Sequence, residues 1–224
     1  MKIKRLIGLL VVCLLFLLIC CAPTRLVKPL EKGKQLIGLS FGGPLIKFAG
    51  APIPIPFTTL VYGYGLTNKI TGFGGIHTTS LLFGNLQTDI GSTIKIFEKE
   101  NKFGFSATPA LQLAYNMRNK TGARLWPSVD LNAYYLIKND AAFFYCGLAT
   151  WFEPSNKKAF NEKQTQHILP NIHIGLMLNK SKWMNQFELK YMGLGVANLP
   201  GVVDYIGLSG KGTLGIYYSL IRKF

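Results

Sequence analysis

The sequence predicts an all-β fold, a single closed antiparallel transmembrane β-barrel of about ten strands. Three observations predict it. Beyond residue 34 apolar and polar residues alternate with period two, and no convincing period of 3.6 occurs. The connections between the alternating runs are short and long by turns, the signature of a barrel with tight turns on one rim and loops on the other. Only 16% of the residues are charged although 49% are hydrophobic, whereas soluble domains usually carry about 25% charge.

The elements follow in order. Weaker alternation marks strands near 35–42, 57–66 and 69–79, and a clearer one lies near 86–96, where Gln87, Asp89, Gly91, Thr93 and Lys95 form the polar set. In 103–115 the apolar parity holds Phe103, Phe105, Leu111, Leu113 and Tyr115. In 125–137 Leu125, Val129, Leu131 and Tyr135 oppose Ser128, Asp130 and Asn132. A further strand covers 141–152. Ile172, Ile174, Leu176 and Leu178 form the next, Phe187, Leu189 and Tyr191 the ninth, and 212–223 the last. Short connections fall at 66–69, 98–102, 138–140 and 179–182. Longer ones fall near 43–56, 117–123, 153–166 and 197–210, and the 80–84 connection is brief for its rim.

Before the strands lies an address. Met1-Lys2-Ile3-Lys4-Arg5 is basic, and Leu6 to Ala22 is apolar without a charge, as in a secretory signal. Leu18-Ile19-Cys20-Cys21 resembles the lipobox of bacterial lipoproteins, with Cys20 where Gly or Ala is commoner. That resemblance implies a signal over 1–20 and acylation at Cys21; the alternative is a plain cleaved signal with incidental cysteines. Residues 21–34, with Arg25, Lys28, Lys32, Lys34, Pro23 and Pro29, read as a basic tether, solvated or touching anionic headgroups. The barrel takes 35–224. Cys146 reads as a small buried apolar residue, and four cysteines so placed make no disulfide framework.

The final strand carries a second resemblance. Leu214, Ile216, Tyr218 and Leu220 alternate toward terminal Phe224. This resembles the closing strand of Gram-negative outer-membrane β-barrels, and implies recognition by the barrel assembly machinery and an outer-membrane location among its lipids. Arg222 breaks the outward parity but lies close enough to the end to snorkel.

Period two alone does not say which face is the core: a soluble, lipid-anchored carrier of an apolar ligand would turn the apolar face inward. The membrane reading is favoured because Asp89, Lys95, Asp130, Glu188 and Lys190 share the polar parity, which is otherwise rich in small residues. Those five are expected to pair with one another across the lumen. Tyr64, Phe97, Phe103, Tyr135, Trp183 and Phe224 are expected to form one aromatic girdle, and Tyr115, Trp126, Trp151 and Tyr191 the other.

A net charge of +15 invites a nucleic-acid reading. Three of those charges belong to the signal, and the remainder lie singly at strand ends, loops and the tether, not in a groove with stacking aromatics. Lys157, Lys158 and Lys163 make one loop basic, solvated or facing anionic lipopolysaccharide. No metal spacing or cofactor loop occurs. Among the histidines His77, His167 and His173, only His77 has candidate catalytic partners, Ser80 and Asp89; they support a runner-up reading as a barrel hydrolase of outer-leaflet lipid. The preferred role is structural, docking or narrow transport, with no cofactor. The apolar loops 43–56 and 197–210 are expected to be neighbours, as a luminal plug, a docking patch for an envelope protein, or a mutually packed pair.

Overall fold

The alternation becomes eleven strands and one short helix in the computed structural model, which describes residues 25–99, 102–118, 123–137, 141–157, 163–198 and 203–224. The strands are β1 (Gln35–Phe48), β2 (Ala51–Pro54), β3 (Phe57–Thr67), β4 (Ile70–His77), β5 (Asn85–Lys99), β6 (Phe103–Asn116), β7 (Arg124–Ile137), β8 (Ala142–Phe152), β9 (Ile168–Lys180), β10 (Trp183–Ala197) and β11 (Lys211–Lys223). Helix α1 (Thr78–Leu82) fills the brief connection between β4 and β5. The signal at 1–20, Cys21, Lys158 and residues 199–202 lie outside the described residues.

Ten strands form the barrel. Each pairs antiparallel with its neighbour, and β11 pairs back onto β1 from Leu36↔Lys223 to Pro44↔Gly215, closing the sheet. Closure removes the two unpaired edges that an open sheet would expose. The small β2 is outside this ring and, among the described residues, pairs with the far end of β1, from Leu45↔Pro54 to Phe48↔Ala51.

The side-chain period of two then decides what faces where. On β10, Phe187 and Leu189 are 48% and 43% exposed, whereas Gln186, Glu188 and Lys190 are buried. The same outward apolar face runs through Leu39, Leu60, Ile76, Ile90, Leu131, Leu148, Ile174 and Ile216. A wall apolar outside and polar inside is the arrangement of a membrane barrel, opposite to that of a soluble carrier. Cys146 lies on this exposed face, not in a core, because its neighbours Phe143 and Tyr145 take the inward parity. In β5 the register shifts between Lys95 and Phe97, so Ile96 and Phe97 both face out.

The first expected girdle forms at the short-turn rim, where Phe97, Phe103 and Phe105 cluster at centroid separations of 5.1–6.1 Å. There Arg222 sits over the rings of Trp183 and Phe224, 5.5 and 5.1 Å from their centroids. That cation–π seat accounts for a charge on the outward parity. The opposite girdle is only partly realised. Trp151 turns inward beside Asp130 and Lys190, and Trp126 shares the parity of buried Ser128 and donates Nε1–H to Glu153 Oε2 at 2.7 Å.

Candidate functional site

A ten-stranded barrel has a lumen slightly wider than wall side chains alone fill. Here the chain's own N-terminal segment occupies part of that space and leaves a cavity of about 520 Å³ beside it, lined by Leu26, Val27, Phe143, Met177 and Met184. The expected solvated tether is thereby corrected: Arg25, Leu26, Val27 and Leu30 are buried inside the barrel. The segment enters at the short-turn rim, where Gly33 N–H donates to Gly65 O and Gly65 N–H to Lys34 O, at 2.8 and 2.9 Å. Residue 65 must be glycine for this approach, because a Cβ there would lie 2.0 Å from Glu31 O.

Backbone inside a closed lumen needs hydrogen-bond partners, and the inward hydroxyls supply them. Leu30 N–H donates to Thr71 Oγ1 at 2.7 Å. Ser106 Oγ donates to Val27 O at 2.5 Å, and Thr93 Oγ1 to Leu26 O at 3.1 Å. Leu26, Val27 and Leu30 meanwhile join a hydrophobic cluster with Leu36, Val61, Phe73, Tyr134, Leu136, Phe143, Tyr145, Met177, Met184 and Ile221. Most of these wall residues lie toward the short-turn end of their strands. The lumen therefore has an apolar lower half built around the segment.

Charges hold the segment at two levels. Lys28 Nζ lies 3.3 Å from Glu98 Oε2, which also accepts the Tyr134 hydroxyl at 2.9 Å. Higher up, Arg25 ion-pairs with Asp89 through Nε at 2.7 Å and through Nη2. Arg25 Nη1 donates to Thr59 Oγ1 at 3.0 Å, and Nη2 lies 3.2 Å from His77 Nε2. A guanidinium has no acceptor, so His77 Nε2 accepts there and a neutral ring carries its proton on Nδ1.

Of the five expected lumen charges, two bind partners outside the set. Asp89 is taken by Arg25, a residue outside the expected set. Lys95 pairs with Glu98 at 3.7 Å, near the rim. Glu188 accepts the Tyr145 hydroxyl at 2.9 Å, and Tyr145 accepts from Gln186 Nε2 at 2.7 Å. Asp130 and Lys190 line a small cavity of about 30 Å³ with Arg25, Asp89 and Gln112.

The candidate catalytic residues are close in the fold but not arrayed as a relay. His77, Ser80 and Asp89 are all buried. Ser80 Oγ donates to Gln87 Oε1 at 2.6 Å. His77 Nε2 is 3.8 Å from Asp89 Oδ2, with Arg25 bonded to both. As arranged, the serine proton goes to an amide and the carboxylate to an arginine. His173 Nε2 is 2.6 Å from Asn132 Oδ1, and exposed His167 is bonded at Nδ1 to Glu153 O at 2.8 Å. Among the described residues no group of three His, Cys, Asp or Glu side chains is placed to hold a metal ion.

At the loop rim, 43–56 and 197–210 are neighbours. Ile46 bridges Tyr205, Lys47 N–H donates to Asp204 O at 2.9 Å, and Ile206 N–H donates to Leu45 O at 2.9 Å. The described parts of these loops pack on each other; the plug is the N-terminal segment instead. Phe48 and Leu208 stay exposed, at 63% and 73%.

Protein-family models give no match to this chain, and neither do the sequences of curated proteins. Solved structures do. An outer membrane channel from Pseudomonas putida F1 superposes with a TM-score of 0.52 at 10% identity, over 91% of this chain and 100% of that one. The NanC porin gives 0.48 at 10% identity, over 84% and 100% of the two chains. The outer membrane protein Ail of Yersinia pestis gives 0.39 at 11% identity, over 86% and 100%. The likeness to the Pseudomonas channel is one of fold: a closed antiparallel barrel of ten strands.

Proposed function

We propose that this chain is an integral outer-membrane barrel whose lumen is closed at rest, with a structural or docking role and no catalytic centre. The observation that carries the reading is the luminal segment, whose carbonyls are bonded by wall hydroxyls and whose leucines and valine belong to the barrel's own core. The apolar outer wall and the fold shared with a channel of this membrane support the location. Docking is carried by the exposed Phe48 and Leu208 beside the paired loops, with an envelope protein as partner. Phe224 at the end of β11 is the handle for the assembly machinery.

Narrow transport is the second reading, and it requires the segment to move. Two experiments divide these. Membrane fractionation with heat-modifiable gel migration should return a folded band that stays in membranes; release without such a band overturns the membrane placement. Reconstituted in a planar bilayer, the full chain should show no steady conductance. A sustained open channel would transfer the reading to transport.

Acylation at Cys21 belongs to the proposal as well, supported by Leu18-Ile19-Cys20-Cys21. Arg25, four residues after Cys21 in the sequence, is luminal. An anchor in the periplasmic leaflet competes with the luminal seat. Mass spectrometry of the mature N-terminal peptide tests this: a thioether-linked diacylglycerol supports the lipoprotein, an unmodified terminus the plain signal. The runner-up hydrolase rests on His77; replacing it with Gln should leave lipid A composition unchanged, and a changed profile would revive the enzyme.

A further inference from the structure

The seat of Arg25 is built for a guanidinium rather than for positive charge in general. All three guanidinium nitrogens are engaged: Nε and Nη2 on Asp89, Nη1 on the Thr59 hydroxyl, and Nη2 also on His77 Nε2. These partners come from three strands, β3, β4 and β5. A planar fork satisfies them together, whereas an ammonium is a compact point donor that cannot span them in one plane. The wall beside the pair is bare. At Gly75 a Cβ would lie 2.2 Å from Asp89 Oδ1, so the carboxylate occupies space that any other residue would close.

Two further features show a site and not only a tie. Asp89 Oδ1 is buried without a hydrogen-bond partner among the described residues, and so is Gln112 Oε1. Both residues line the 30 Å³ cavity above Arg25. The occupant itself belongs not to a barrel strand but to a segment held to the wall by backbone hydrogen bonds of Leu26, Val27, Leu30, Gly33 and Lys34 and by side-chain contacts.

We propose that Asp89, His77 and Thr59 form a guanidinium-binding site in the lumen, and that Arg25 is its resident occupant. The ligand class is a small guanidinium-bearing cation. In the native chain Arg25 competes at the high effective concentration of a tethered group, so the site is hidden until that side chain is removed.

The test uses the full chain with Arg25→Ala, refolded in detergent, with methylguanidinium as probe and methylammonium as control. The thermal midpoint of the folded band should rise saturably with methylguanidinium, at about tenfold or more lower concentration than with methylammonium. The native chain should show no such rise, and Asp89→Asn in the Arg25→Ala background should abolish it. Where Arg25→Ala refolds poorly, recovery of the folded band with methylguanidinium in the refolding buffer is the same readout. Equal responses to both cations overturn the proposal, as does an equal response of the native chain or persistence of the effect in the double variant.

Discussion

The two halves of the lumen fill the same cylinder by different physics. Toward the short turns the wall offers Leu36, Leu136, Phe143, Met184 and Ile221, and the segment answers with Leu26, Val27 and Leu30. Toward the loops the wall offers Asp89, Gln112, Asp130 and Lys190, and the segment answers with one arginine. Apolar packing is non-directional and tolerates approximate fits. A buried carboxylate requires a partner of opposite charge in good geometry. The lower half therefore anchors the segment chiefly by volume, with the Lys28–Glu98 pair near its rim, and the upper half by the buried Arg25–Asp89 pair. Which half is more sensitive to a single change is the question that separates them.

The largest effect should come from the upper half. Arg25→Leu keeps the bulk but strands Asp89 in the lumen. Removing one partner of a buried pair costs about 3–5 kcal/mol, read as a lowered urea midpoint of the heat-modifiable band. Arg25→Leu combined with Asp89→Leu should recover most of that loss, because paired apolar replacement is often neutral. Failure of the double variant to recover would place the cost in lost packing and erase the distinction between the halves.

Next comes the lower half. Leu26→Ala leaves a cavity within the core cluster, and such truncations cost about 2–5 kcal/mol. The expected figure is at the low end, since neighbouring Met177 and Met184 are adaptable side chains that relax into gaps. Because the change removes volume without stranding a charge, no small cation should reverse it.

Ser106→Val is smaller. It removes the hydroxyl that donates to Val27 O, leaving a buried carbonyl short of one partner at about 1–3 kcal/mol. Proteolysis of the segment should rise with little change in the wall, so the two readouts separate a loosened plug from a loosened barrel.

This division was only half legible in the sequence. The ten barrel strands were, because period two and turn spacing are local and each strand's partner is its neighbour in the chain. The inward parity of Asp89, Asp130, Glu188 and Lys190 followed from the same rule. Arg25 did not, since its place depends on a lumen that exists only after β11 meets β1. Two signals pointed to it all the same. Leu26, Val27 and Leu30 are too apolar for a solvated linker, and three inward carboxylates faced only Lys95 and Lys190, of which Lys95 binds Glu98. Trp126 and Trp151 were misplaced because aromatics near a rim suit either face; here their parity, not their type, decides.

The smallest effect sharpens the comparison most. Gln112 is buried on β6 in the upper half, and its Oε1 has no hydrogen-bond partner among the described residues. An acceptor that makes no bond in the fold has already lost its bond to water, so replacing it with an apolar group of similar size gives up little. Gln112→Leu should then shift the urea midpoint by less than about 1 kcal/mol equivalent, in either direction. The adjoining 30 Å³ cavity is large enough for one water. A loss near that of Ser106→Val would mean that a water completes the acceptor and that the upper half is a connected polar network. A negligible shift would mean that the bonds of Arg25 to Asp89, Thr59 and His77 hold the upper half without Gln112, and that this seat is the upper latch of the segment.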